Sequence, residues 1–184
     1  GEDERKQANF LGLPMTGDIR NIDIDYLEHA DRAAWLSTLI APRPLMLLAT
    51  TSEEGVENLC PVSSASLLSN HPPLIGVSLS QNREGRPRDT LVNLRNESKV
   101  TVMILPGTWD AALLVDRTAT PLAPDVSEWD GLGTAINSEN GWPPRHPLAV
   151  ATLECEVAEI VPLPDAVANL AILRVRNLIH PELG

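Results

Sequence analysis

Aromatic residues are scarce in this chain: they make up 3% of its 184 positions, with a single Tyr and a single Phe. The core must therefore come from Val, Leu, Ile and Ala, within a hydrophobic content of 43%. Cysteine is nearly absent too. Cys60 and Cys155 are the two present, too few for a disulfide framework, and they read as reduced, buried thiols. Positive charge is sparse: 14 Lys and Arg against 25 Asp and Glu leave a net charge of -11. Such a surface repels phosphodiester backbones and anionic bilayers, so neither nucleic acid nor membrane is an expected partner. Long apolar runs are missing, since PLMLLA at 44–49 falls far short of the ~20 residues a spanning helix needs. No basic stretch introduces it as a secretory leader would, and a soluble, cytoplasmic protein is expected.

Motif absences remove further classes. His29, His71, His146 and His180 stand far apart, with no His-x-x-x-His or Cys-x-x-Cys spacing, so no metal is expected. There is no Gly-x-Gly-x-x-Gly, no Walker loop, and no Gly-x-Ser-x-Gly elbow around the serines at 63–66, which sets aside the conventional nucleotide-binding folds and the serine hydrolases.

The length suits one domain with about 70% of its surface buried, and neither repeat nor linker divides it. A polar, acidic arm with a short helix occupies 1–35, and the body runs from 36 to 180. Within the body, the apolar run at 44–51 reads as a buried strand that turns at Gly55. PLIGVSLS at 73–80 alternates Ile75, Val77 and Leu79 with Gly76, Ser78 and Ser80, a strand whose small-residue face lies close to something. Short helices are expected at 88–97, where Asp89 is of a type favoured at N-caps, and at 109–116, with a strand at 99–105 between them. Period two returns around 152–157 and 173–176, joined by a turn at 162–169, and gives two long half-exposed strands. The stretch 117–147 is irregular, rich in Pro and Gly, and of a length that is usually functional or disordered. Its ENGWPPRHP segment (139–147) is either a lid or a packed loop, with the packed loop favoured. Many strands, few helices and antiparallel-style alternation predict a mainly β fold, a barrel with helical additions.

Two stretches carry chemistry. NLCPVSSASLLSNHPPL at 58–74 puts four serines and a cysteine in a half-apolar segment, read as a hydroxyl-rich turn over 58–66. QNREGRPRDT at 81–90 crowds Arg83, Arg86 and Arg88 before a helix start at Asp89-Thr90. Arginine forks beside free helix amides can hold phosphate; the alternative is a solvated loop that happens to be basic.

With APRPLMLLATT, EGVENLCPVSSASLLSNHPPLIGVSLS, RPRDTLVNLRN, SEWDGLG and ATLECEVAEIVPL in that order, residues 35–180 resemble the flavin reductase-like family of FMN-binding split β-barrels with a Greek-key-like antiparallel arrangement. The resemblance implies that Asn58, Cys60, Pro61, Val62, Ser63, Ser64 and Ser66 wrap a flavin, donating without bulk. It places Thr50 and Thr51 beside the isoalloxazine, and matches Arg88-Asp89-Thr90 to a Lys-Asp-Thr whose cation faces the phosphate. Arg83 joins the cofactor set, and Asp89 is a cap or an orienter of Arg88 rather than a base. The implied function is a flavoprotein oxidoreductase holding FMN non-covalently, with FAD as the variant, NADH or NADPH as donor, a small-molecule substrate and a homodimeric assembly. Two other roles fit the same residues: an FMN enzyme for a dedicated organic substrate without nicotinamide, and a non-enzymatic flavin carrier. No catalytic side chain is nominated.

Overall fold

The structure is a computed structural model that describes residues 21–80, 86–133 and 135–180. The chain divides into two units, up to Ala41 and from Pro42 on, and each is taken by itself. In the first, a single 3-10 turn, Ile24–Tyr26, is capped by Asp23, whose Oδ1 accepts from the Asp25 N–H at 3.1 Å. Helix α1, His29–Leu39, follows and extends beyond the expected arm boundary. None of its residues is buried, and Trp35, Leu36 and Leu39 are exposed.

Among its described residues the second unit contains seven strands and two helices. Strands β1 (Met46–Thr51), β2 (Glu57–Val62), β3 (Ala65–Asn70) and β4 (Pro73–Ser80) precede helix α2 (Asp89–Asn96). Strand β5 (Lys99–Ile104), helix α3 (Trp109–Thr118) and the long strands β6 (Ala151–Pro162) and β7 (Ala168–Ile179) follow. All strands join one antiparallel sheet in the order β2-β1-β5-β6-β7-β4-β3.

That order forces a curl. β2 and β3 lie at opposite edges of the sheet, which laid flat would stand about 29 Å apart at ~4.8 Å per strand. Only Ser63 and Ser64 join Val62 to Ala65, and three Cα-to-Cα steps reach at most about 11 Å. The sheet is therefore rolled into a barrel split between β2 and β3. A single buried cluster confirms the closure, because Leu48, Val62, Val77, Val102, Cys155 and Leu173 meet in it from six different strands.

The expected hydroxyl-rich turn over 58–66 is thus mostly strand, and its loop is two serines long. Small hydroxyls suit that place because the two edges must approach, and Ser64 Oγ donates to the Ser78 carbonyl at 2.8 Å. Gly76, on the small-residue face of β4, has the close neighbour its sequence implied: a Cβ there would meet Leu68 Cδ1 at 3.0 Å and Leu170 Cδ1 at 3.1 Å.

β1 is apolar from Met46 to Ala49 because both of its faces are covered there. Leu48 points into the barrel, whereas Leu47 and Ala49 pack outside it with Leu59, Met103, Ala111, Leu114 and Trp129 beneath α3. β6 departs from the expected half-exposed pattern: Glu154 is 4% exposed, covered by Ser138 Oγ at 3.0 Å and Asn177 Nδ2 at 2.7 Å. The segment 139–147 is packed. Lys99 Nζ lies 5.0 Å from the centre of the Trp142 ring, Arg145 bridges to Ile136, and His146 stacks on Trp129 at 6.3 Å.

Helix α2 closes one end of the barrel by inserting Leu91 and Leu94, 1% and 2% exposed, into the main cluster. Its anchoring positions everything carried at its N-terminus. Leu91→Ala should destabilise the fold by about 2–5 kcal/mol in urea unfolding, the range for a buried leucine truncation. A loss below about 1 kcal/mol would show that α2 is not seated by this contact.

Candidate functional site

A cavity of about 430 Å³ opens where three elements meet: β2 through Asn58, Cys60 and Pro61, the start of α2 through Arg86, Arg88 and Asp89, and the chain leaving α3 through Thr118–Leu122. Glu128 completes the wall.

The α2 start follows from its sequence. Arg88 is extended (φ -63°, ψ 143°) and serves as the N-cap residue, with its carbonyl accepting from Leu91 N at 2.9 Å and Val92 N at 3.1 Å. Asp89 is the first helical residue, where a carboxylate complements the positive end of the helix dipole. This corrects the expectation for Asp89 as cap or orienter of Arg88. Its Oδ1 takes Arg86 Nη1 at 3.0 Å, and Arg86 Nη2 also donates to the Leu122 carbonyl at 3.3 Å, tying the α3 exit to the helix start.

Arg88 is differently placed. Its Nη1 donates to Cys60 Sγ at 3.6 Å, its buried Nε has no partner, and among the described residues no carboxylate lies within ion-pair range of it. A guanidinium left uncompensated at a cavity wall, in a chain of net charge -11, fits an anionic ligand with oxygen acceptors.

Behind the wall runs a polar chain. Asn93 Nδ2 donates to Thr50 Oγ1 at 3.0 Å, and Asn58 Oδ1 accepts from Thr90 Oγ1 at 2.7 Å and from Thr50 Oγ1 at 3.4 Å. Asn58 Nδ2 donates to both Glu128 oxygens, at 3.2 and 3.0 Å, and Leu59 N reaches Glu128 Oε2 at 2.9 Å. Ser127 Oγ adds a bond to the Glu57 carbonyl. Thr50 and Thr90 are each 1% exposed.

The structure therefore brings Asn58, Cys60, Pro61, Arg88, Asp89 and Thr90 to one cavity. Thr50 sits one shell behind it, and Val62 lies in the barrel interior. Thr51, Ser63, Ser64 and Ser66 do not line it, Ser66 being exposed on the edge strand β3. Arg83 lies outside the described residues. Glu128 and the α3 exit were not identified as site residues from sequence. Glu128 stands 70 positions from Asn58, and nothing local in SEWDGLG marks its carboxylate as facing β2.

Residues 39–183 match the description flavin reductase like domain. The chain belongs to the flavin reductase-like family. A protein of Halalkalibacterium halodurans, itself uncharacterised, is 31% identical over 140 residues, covering 76% of this chain and 66% of its own. The chain spans 66% and 64% of the lengths of two curated relatives it matches. Nitrilotriacetate monooxygenase component B from Bacillus cereus superposes with a TM-score of 0.81 at 27% identity, over 91% of this chain and 84% of that one. The FMN-binding protein from Thermus thermophilus with bound p-hydroxybenzaldehyde shares the fold at a TM-score of 0.64 and 23% identity, over 78% and 74%. The split barrel expected from the sequence is the fold this family shares. Among the described residues no helix is long and apolar enough to cross a membrane, and no group of His, Cys, Asp and Glu has a metal-binding arrangement.

Three titratable groups are shifted. Burial pushes the Cys155 thiol up to about 12, with Glu154 adding to it, so that sulfur is inert. Burial lowers His146, whose Nδ1 accepts from Leu148 N at 3.2 Å; it is a neutral packing group. Burial raises the Glu128 carboxyl above its ordinary 4.5, and nearby Asp89 adds to this, against the N–H donors of Leu59 and Asn58. An acid raised in the folded state holds its proton to higher pH than in the unfolded chain, so its contribution to stability falls as pH rises from 4.5 through the raised value. Glutamine lacks this dependence. The stability of the parent relative to Glu128→Gln should be greater near pH 4.5 than near neutrality, read as the gap between urea midpoints. An unchanged gap would place the titration elsewhere.

Proposed function

We propose that this protein is an oxidoreductase that holds FMN non-covalently and passes electrons from a reduced nicotinamide to flavin or to a small-molecule acceptor. The observation that carries this reading is Arg88: a guanidinium with a buried, unpartnered Nε and, among the described residues, no carboxylate within ion-pair range, lining a cavity of about 430 Å³. Phosphate oxygens supply the acceptors that this group lacks. The first amides of α2 have no intrahelical partners and add donors at the same end of the cavity. Asp89 does not oppose an anion there at full strength, because Arg86 takes its Oδ1.

FMN when bound would supply the redox-active ring, whose reduction by hydride needs no protein acid or base. The residues here bind and orient: Arg88 fixes the anionic end, and Cys60 and Pro61 line the cavity beside it. The family assignment, and an FMN-binding protein among the solved structures of this fold, support FMN over other phosphate-bearing rings.

Arg88→Ala should weaken FMN binding by about 1.5–3 kcal/mol, roughly 10- to 140-fold, while riboflavin, which has no phosphate, changes little. Fluorescence quenching reads both. Equal losses for the two ligands would remove Arg88 from the phosphate. Anaerobic addition of NADH or NADPH to the FMN-loaded protein tests the donor, and flavin that stays yellow with both would leave the nicotinamide out of the reaction.

We also propose a homodimer. The edge strand β3 exposes Leu67 (63%) and Leu68 (47%) beside the barrel split, an apolar strand edge of the kind that monomers protect, and twofold pairing is the commonest symmetric assembly. Sedimentation at micromolar concentration should give about twice the 19.9 kDa chain mass. A species of single-chain mass that binds FMN would show that pairing is unnecessary.

A further inference from the structure

Glu128 reaches the cavity from a segment that belongs neither to the barrel nor to a helix. Its carboxylate is nonetheless the meeting point of the cavity's walls. It accepts Asn58 Nδ2 at 3.0 and 3.2 Å and the backbone N–H of Leu59 at 2.9 Å. Asn58 in turn holds Thr90 of α2 at 2.7 Å through its other end. One carboxylate thus joins the segment after α3 directly to β2, and through Asn58 to the start of α2, where Arg88 stands.

We propose that Glu128 is the positioning residue of the cavity, a hydrogen-bonded clamp that holds the segment after α3 against β2 and, through Asn58, against the start of α2, and so governs how tightly a ligand is held. The identity of that ligand as a flavin rests on the function proposed above. The clamp itself rests on the bonds alone.

Two roles for this carboxylate predict opposite signs. If Glu128 acted through its charge, removing it would favour an anionic ligand, since a negative group would leave a cavity that receives phosphate. If it acts as a clamp, removing its acceptors frees the wall and weakens every ligand that fits the cavity, charged or not. The charged groups that line the cavity with it are Asp89, Arg86 and Arg88, so the electrostatic alternative has real sources to act through.

Two substitutions separate the roles. Glu128→Ala removes both acceptor oxygens, and the three hydrogen bonds they take, along with the charge. Glu128→Gln removes only the charge: its oxygen can accept from Leu59 N, and Asn58 can turn its amide end for end, offering Oδ1 to the new amide and Nδ2 to the hydroxyls of Thr90 and Thr50. The clamp predicts that Glu128→Ala weakens FMN and riboflavin by the same factor, about tenfold, and that Glu128→Gln recovers most of the loss. In the flavin-free protein the Leu59 amide should exchange with deuterium about tenfold faster in Glu128→Ala, and close to the parent rate in Glu128→Gln. Val102, inside the barrel, should not change in either variant, which guards against general unfolding.

Tighter FMN binding by Glu128→Ala, or Glu128→Gln behaving like Glu128→Ala for both flavins, would overturn the clamp in favour of charge. An unaltered Leu59 exchange rate would overturn it outright. If the parent protein bound neither flavin, the functional reading would fall, and the exchange comparison would still decide the clamp.

Discussion

The structure depends on one covalent constraint. Two serines join strands that occupy opposite edges of a seven-stranded sheet, and a chain that short cannot span a flat sheet. The sheet must roll, and rolling gathers one face of six strands into a single aliphatic core. A chain with 3% aromatic residues can fill such an interior because Val and Leu side chains from facing strands interdigitate at short range. The roll also leaves an open end, which α2 plugs with Leu91 and Leu94. A helix seated by its apolar face presents its N-terminus at the rim, and there the arginine and the first amides meet β2.

The cavity is then an electrostatic exception in an acidic protein. Of its two described arginines, Arg86 is engaged by Asp89 and by the Leu122 carbonyl, and so acts as a brace between walls. Arg88 donates to a cysteine sulfur, a weak acceptor that leaves most of its capacity unused. Two arginines two positions apart, both just ahead of the helix, thus do different work, because Arg88 is the N-cap residue and Arg86 lies before it, and their side chains meet different neighbours.

Much of this could be read in the chain. β1, β4 and β5 were visible because burial on both faces or strict alternation writes itself into residues 44–51, 73–80 and 99–105. The cation at 88 was visible because it stands next to a helix start. What was hidden shares one cause. Asp89 pairs with Arg86 rather than capping, Thr50 and Thr90 are spent on Asn58, and Glu128 closes the network from 70 residues away. Each is a choice among partners, made by tertiary approach. A sequence shows that a hydroxyl or a carboxylate is present, whereas the fold decides which donor it faces. The serines illustrate this most simply: their small size mattered, for the passage of the chain between sheet edges, and Ser64 bonds to the barrel's own backbone.

The walls of the cavity are also unequal in how they are held. β2 is paired along its length with β1, and α2 is fixed by two buried leucines. The segment from Ala119 to Glu128 has no sheet partner. Its ties are Arg86 to the Leu122 carbonyl, Ser127 to the Glu57 carbonyl, and the Glu128 carboxylate, with Trp129 buried immediately after them as the anchor. Local opening free energies follow the number of buried apolar contacts and protected backbone bonds. Alanine, threonine and proline at 119–121 are exposed and contribute few of either. Local opening at this site therefore falls on the α3 exit, between Thr118 and Trp129, rather than on the barrel or on the start of α2 that carries Arg88. The cavity thus has one wall held by sheet pairing and buried leucines, and one held by a few polar ties that can part.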